Sequence, residues 1–406
     1  MLRLYAAPME IRTITDEEVP AFRESLMQTF GADPHDDPGD DRQRKLVDRA
    51  QTWAVFDGTS VVGTAATFQH SIGVPGGGSL PIAGLTMVTV RPTHRRRGLL
   101  RELMRHHLDD ARARGYAASG LWASESSIYG RFGYGVAAEH DSIRIADSRH
   151  VRLAPRELDD VEWIDEPRAR EVLPDIYARA TANRPGILRR SAAWWHERRF
   201  LESPWVREGA SLRRHVVARR GATLVGYVAY RQRRDGDGPT PGGRTQIVEL
   251  HGIDARAEAT LWRFVLSMDL FHHVSWWSAP TDDALPLLVD DARLVERKRS
   301  DNIWLRIEDA PAALRARRYP SDGVLRFTFD GTRYELVVED GHATCAQTTR
   351  EAELEIDRIA LGSLYLGGFA ASRLARANLV RGDARAIAMA DRLFASPIAP
   401  WCAEIF

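Results

Sequence analysis

Arg95, Arg96, Arg97 and Gly98 stand between two patterned segments of a 406-residue chain. Residues 85–91 are rich in β-branched side chains and predict a strand, and residues 99–114 carry Leu100, Leu103, Met104 and Leu108 at helical spacing. A strand that passes through an arginine-glycine loop straight into a helix makes an anion site. The first amides of a helix lack internal partners and sit at the positive end of its dipole, so a diphosphate can accept hydrogen bonds from them. Gly98 lets the backbone come close, and the three guanidiniums add charge. A short basic run is ordinarily a solvated turn. Here the strand before it and the amphipathic helix after it argue for a site.

A second constellation follows the strand predicted at 117–123. Residues 124–134 form a loop punctuated by Gly130 and Gly133, with Gly135 just beyond. A loop leaving the carboxyl end of a strand is a favoured site position in an open α/β sheet. It carries two phenols, Tyr129 and Tyr134, each able to donate a proton. The residues alone leave the choice between them even.

The elements that must hold these groups read as α/β through residue 155. A strand at 11–13, a helix at 21–30, an Asp/Gly/Pro-rich loop at 31–41 and a hairpin of 52–56 with 60–71 about Asp57-Gly58 precede the strand–loop–helix unit. Residues 156–292 repeat the order in degraded form, with a hairpin of 216–219 and 224–231, a strand at 246–252 and a helix at 257–269. Where the first copy has its arginine-glycine loop, the second has Ile253-Asp254-Ala255-Arg256, with no glycine to cradle a phosphate. Residues 293–406 change character: a meander of 325–329, 333–339 and 343–348, helices at 359–380 and 384–395, then a tail broken by Pro397 and Pro400. The fold expected is therefore α/β (α+β), in units of 1–155, 156–292 and 293–406.

Composition excludes other classes. Lys+Arg and Asp+Glu are both 56, so a nucleic-acid partner, which asks for a basic excess, is not expected. Lys45 and Lys298 are the only lysines, a bias that reads as codon usage rather than chemistry. No apolar run approaches the roughly 20 residues of a membrane span, and no secretion signal is visible ahead of Met9, where the ordered pattern begins. Cys345 and Cys402 are too few for a disulfide framework or a thiolate zinc site, and a reducing cytoplasm is expected. His35, His94 and the pairs His106-His107 and His272-His273 lack metal-ligand spacing, so no metal is expected.

The run from Arg95 to Leu100 resembles the R-x-x-G-x-G/A signature of the GNAT N-acetyltransferases, with Leu100 replacing the last small residue. A narrower resemblance covers almost the whole chain. His94-Arg-Arg-Arg-Gly-Leu-Leu-Arg101, Ala123-Ser-Glu-Ser-Ser-Ile-Tyr129-Gly-Arg-Phe-Gly-Tyr134-Gly and Leu361-Gly-Ser-Leu-Tyr-Leu-Gly367 are similar, in order, to the enhanced intracellular survival (Eis) acetyltransferases. The resemblance implies tandem GNAT folds, the first active and the central one degenerate, followed by a sterol-carrier-protein-like domain, assembled as a homohexamer. It implies acetyl-CoA as co-substrate, and acceptor amines of aminoglycosides or of protein lysines. A noncatalytic lipid-binding role for the last domain is the competing expectation.

The same resemblance assigns roles. Arg95, Arg96, Arg97, Gly98, Leu99 and Leu100 would bind the diphosphate, main-chain amides around Val88 and Val90 the acetyl and pantetheine groups, and Ser124 would lie close to cofactor and tyrosine. The motif register favours Tyr129 as general acid, and the α-carboxylate of Phe406 would be the base. A chain-terminal carboxyl titrates near roughly 3.3 to 3.7, so burial beside the Phe406 ring would have to raise it. The tail Trp401-Cys-Ala-Glu-Ile-Phe406 is too apolar to wave in solvent, and Glu404 is a possible substitute base. A polycationic acceptor wants carboxylates and apolar walls. Phe30, Asp33, Asp36, Asp37, Met87 and Glu404 are its candidate contacts.

Overall fold

The computed structural model describes residues 9–33, 45–154, 156–202, 207–234 and 242–406. The first run of elements is β1 (Glu10–Thr13), α1 (Val19–Thr29), β2 (Thr52–Asp57), β3 (Ser60–Gly73), β4 (Ser79–Val90), α2 (Leu99–Ala113), β5 (Ala118–Trp122), β6 (Gly135–Val136) and β7 (Glu139–Ile145). The β2–β3 hairpin turns at Gly58, whose φ of +61° is open to glycine. Strand β4 starts six residues ahead of the 85–91 span that its β-branched side chains predict; its pairing to β3 continues through Pro81, which reads as a strand breaker.

The second run is β8 (Asp160–Ile164), α3 (Glu166–Ala180), β9 (Arg214–Arg220), β10 (Thr223–Arg234), β11 (Gly243–Gly252), α4 (Ala255–Leu266) and β12 (His273–Pro280), followed by β13 (Glu296–Asp301) and β14 (Ile303–Ile307). Two seven-stranded sheets result, ordered β1-β2-β3-β4-β5-β14-β6 and β13-β7-β12-β11-β10-β9-β8. The expected duplication is visible, but the copies exchange strands. Strand β7 leaves the first copy to pair with β12 and β13, and β14 returns to lie between β5 and β6. Hydrogen bonding thus crosses both divisions drawn on the sequence, 155/156 and 292/293, because local composition carries no record of which edge a strand will close.

The third run holds β15 (Gly323–Phe329), β16 (Thr332–Glu339), β17 (His342–Gln347), β18 (Leu354–Ile356), α5 (Arg358–Leu364), α6 (Ala371–Arg376), β19 (Val380–Gly382) and α7 (Ala384–Phe394). Its five-stranded sheet runs β17-β16-β15-β18-β19. Both meander turns are Asp-Gly with φ of +51° to +74° at their two residues, the geometry a two-residue hairpin favours. The single helix expected at 359–380 is instead α5, a turn, α6 and β19. Gly367 breaks it at φ +81°, where an added Cβ would lie 2.7 Å from Ser396 Cβ. Helical spacing persisted across a break that only the approach of the chain after α7 explains.

That chain is the tail. It runs back to the junction of the two large sheets, where Trp401 donates its amide to Pro185 O at 2.9 Å. The Asn302 side chain brackets the next residue, accepting from Cys402 N at 2.8 Å and donating to Cys402 O at 3.0 Å. Trp401 joins the core of the second sheet, while Cys402 and Phe406 join a core shared by the first and third sheets.

Candidate active site

Strand β4 pairs with β5 only from Ile82 to Gly84, against Ala118 to Gly120, and beyond that the two diverge. The divergence begins beside a bulge: the β3 register slips between Thr64 and Ala66, and Met87 takes a φ of +55°. Thr64 stabilises it by donating from Oγ1 to Met87 O and accepting from Thr89 Oγ1, both at 2.6 Å. Arg91 donates its amide to Val62 O across the ladder at 2.8 Å. Strand alternation then turns the Val90 amide the other way, into the gap, and gives Val88 the same parity. The side chains of Val88 and Val90 pack against the core.

At the end of β4 the chain reverses through Arg96 at φ +64° and Gly98 at φ +82° and enters α2. Among the described residues nothing lies within 4 Å of an added Cβ on Gly98, so the left-handed backbone, not crowding, asks for glycine. Among the described residues no side chain caps α2, leaving its first amides open to an anion, and Arg95, Arg96 and Arg97 are exposed around it. Leu99 and Leu100 turn their side chains into the core and offer only main chain. The second copy differs at this point. Asp254 caps α4 by accepting from Ala257 N at 2.9 Å and pairs with Arg220. A protein carboxylate stands where a phosphate would sit. The residues of the first copy therefore fit a diphosphate, and those of the second do not.

The loop after β5 is more ordered than expected, a helical turn at Ser126–Tyr129 followed by another at Gly130–Phe132. It separates the two phenols. Tyr134 is fully buried in a chain of hydrogen bonds: Ser119 Oγ donates to Ala83 O at 2.9 Å and lies 2.7 Å from the Tyr134 hydroxyl and 2.8 Å from His107 Nε2. With its one proton so used, Ser119 accepts from both, and His107 Nδ1 is left to accept from Thr67 Oγ1 at 2.7 Å. The Tyr134 proton is occupied. Tyr129, 6.1 Å away ring to ring, faces the gap beyond β4. Burial, and then Glu125, push its phenol up to about 12, which keeps it protonated at neutral pH.

The tail enters the same space. Phe406 is 6% exposed, its ring 4.8 Å from His70 and against Gly84, where an added Cβ would come within 3.3 Å of the Phe406 ring and 2.8 Å of His70. Arg198 holds the approach by donating to Ile405 O at 2.9 Å. Residues 85–88, Ser124, Tyr129 and Phe406 line one cleft of about 1270 Å³ that runs from the β4–β5 gap toward the second sheet. Trp401, packed on Trp276 and His251, occupies the corresponding region beside β11 and β12.

The acceptor end of the cleft departs from the expectation. Phe30, 52% exposed, and Met87 line it. Glu404 also lines it, but its carboxylate is held by Arg190 at 2.6 Å and by Arg199. Burial pushes that carboxyl up, yet Arg190 and Arg199 outweigh it and hold it below the usual range, which removes Glu404 as a substitute base at neutral pH. Asp33 does not line the cleft, and Asp36 and Asp37 fall outside the described residues. The charged groups that local spacing does not reveal are mostly cationic: Arg23, Arg144, Arg198, Arg213, Arg231 and Arg244 line the wall, with Glu208 an exposed carboxylate among them. In a chain whose basic residues are nearly all arginine, no local spacing distinguished them.

Three family descriptions match the chain. An acetyltransferase (GNAT) domain matches residues 10–137, a second acetyltransferase (GNAT) domain 186–307, and a sterol carrier protein domain 310–403. The N-acetyltransferase Eis of Mycobacterium tuberculosis H37Ra is 37% identical over 357 residues, 84% of this chain and 85% of its own. An uncharacterized N-acetyltransferase of Streptomyces avermitilis is 35% identical over 404 residues, 97% of this chain and 98% of its own. The crystal structure of Eis1 from Mycobacterium abscessus matches with a TM-score of 0.83 at 29% identity, covering 98% of this chain and 100% of that one.

Proposed function

Because the chain belongs to the Eis family of GNAT N-acetyltransferases, we propose that it moves an acetyl group from acetyl-CoA directly onto an amine, with Tyr129 as general acid and the Phe406 carboxylate as general base. Acetyl-CoA supplies the thioester. The Arg95–Gly98 loop and the open amides of α2 bind its diphosphate, and the amides on the Val88 and Val90 side of β4 donate to the acetyl carbonyl oxygen as negative charge gathers there. The Phe406 carboxylate takes a proton from the acceptor ammonium, so that neutral nitrogen can bond to the acetyl carbon. As the carbon–sulfur bond breaks, Tyr129 gives its proton to the sulfur, and the proton still in excess on the acylated nitrogen leaves to restore the phenol, so that one neutral amide, one thiol and one proton on the carboxylate result. One observation carries this reading: Tyr129, from the first copy, and Phe406, the last residue, line a single cleft at the parting of β4 and β5.

Extending the C-terminus by three residues tests it, since the carboxylate is then moved or removed while the preceding contacts of Trp401 and Cys402 remain. Thiol release from acetyl-CoA with a responsive amine is expected to fall at least about 100-fold, with the melting temperature little changed. An extended protein with full turnover would end the terminal-base assignment. The aminoglycoside acceptor implied by the resemblance finds weaker support, because a polycation would meet the arginine wall. The homohexamer implied by the same resemblance is a proposal that sedimentation of the full chain decides.

A further inference from the structure

The two walls of the cleft are built differently. On the reacting side are a phenol, a terminal carboxylate and open strand amides. On the far side Arg213 and Arg231 lie deeply buried, the Arg213 side chain 7% and Arg231 6% exposed, and both reach the cleft. They share one carboxylate. Arg231 donates from a terminal nitrogen to Glu202 Oε1 at 2.9 Å, and Arg213 Nε approaches the same oxygen at 3.4 Å. Neither Arg213 Nε nor Arg231 Nε has a hydrogen-bond partner among the described residues.

The neighbouring arginines do not redress the balance, since Arg190 and Arg199 are engaged with Glu249 and Glu404. Burial, then Arg199 and Arg231, pull the Arg213 guanidinium down to about 9, a sign that its positive charge is poorly compensated. Two buried cations on one carboxylate leave positive charge in excess, which is costly, and a guanidinium is suited to the bidentate grip of a carboxylate or phosphate.

We propose that the acceptor is an anionic amine, a small molecule whose amino group reaches the Phe406 carboxylate while a carboxylate or phosphate at its other end is bound by Arg213 and Arg231. This rests on the reading of the cleft as an amine acetylation site and specifies which amine it selects. Trp276 and Trp277, also on the cleft, provide apolar walls for the body of such a molecule. A polycation would place ammonium groups against guanidiniums and lose affinity.

The test uses the full chain, acetyl-CoA and four amines matched in shape: para-(aminomethyl)benzoate, para-(aminomethyl)phenyl phosphate, the neutral para-(aminomethyl)benzamide and para-xylylenediamine. The expected result is a kcat/KM for one of the two anions at least about tenfold above both the amide and the diamine, as charge-assisted bonds imply. Which anion leads tells carboxylate from phosphate. In Arg231→Gln the anion-to-amide ratio of kcat/KM should fall about tenfold, mainly through KM, and Arg231→Lys should recover part of it. Equal or better turnover of the amide or the diamine overturns the anionic acceptor and leaves acetyl transfer standing. Thiol release from none of the four overturns both. Should the buried variants not fold, the wild-type comparison decides alone.

Discussion

Tyr129 and Tyr134 show how two identical side chains five residues apart acquire different chemistry. Tyr134 donates into the Ser119–His107–Thr67 chain, whereas Tyr129 meets the cleft with its phenol pushed up to about 12 by burial and Glu125. Tyr129→Phe is therefore expected to lower kcat by about 100-fold to 10,000-fold with little change in acetyl-CoA affinity. In the wild type no loss of kcat near pH 10 should come from this phenol; a rate unchanged by the substitution would remove it from the acid role. His107 and His70 predict the acid side. Burial, with Arg306 and Arg198 respectively adding to it, lowers each to about 3, against the weaker opposing pull of Glu404 on His70. The stability gained from holding these rings neutral is complete above an unfolded value near 6.5 and is lost as pH falls toward 3, because the unfolded chain binds the protons first. Melting temperature should drop between pH 6.5 and 4, and less steeply in His107→Gln; parallel profiles would reject the assignment.

Helices α2 and α4 are the same element in two states. Gly98 opens α2 without a side-chain cap, while Asp254 closes α4 and pairs with Arg220. The missing glycine in the second copy was legible in the sequence as the loss of a phosphate cradle; that an aspartate cap takes its place needed the hydrogen bonds. Gly98→Val puts a β-branched residue at φ +82° in otherwise open space. It should weaken acetyl-CoA binding at least about tenfold through a distorted loop, with a stability loss of about 1–3 kcal/mol. Calorimetric titration checks the first and denaturant melts the second, and normal affinity would discredit the loop. Length was harder to read than position: α5 and α6 appeared as one helix because the stop at Gly367 is imposed by Ser396, from a distant part of the chain.

The whole molecule is a set of exchanges. Strand β14, from the end of the second copy, supplies Trp304, Leu305 and Ile307 to the first sheet, and β7 goes the other way. Residues 1–155 expressed alone should give no cooperative thermal transition and no acetyl-CoA binding, since β5 and β6 would be left with no strand between them. A folded, cofactor-binding fragment would refute that dependence. Trp401, packed on Trp276 and His251 beside β11 and β12, makes the second copy a seat for the tail, and this seat brings Phe406 to the first.

Residue types and their spacing were enough for the strand–loop–helix unit, the duplication and the pairs of strands joined by short turns, because each depends on neighbours a few positions away. The loop's two phenols, too, were legible. Folding gave them different surroundings, split the long helix, carried strands across both boundaries and assembled a wall from arginines that looked like background. Those outcomes depend on which distant surfaces meet, and burial decides there whether a charge is matched, a proton is already shared, or a backbone must turn.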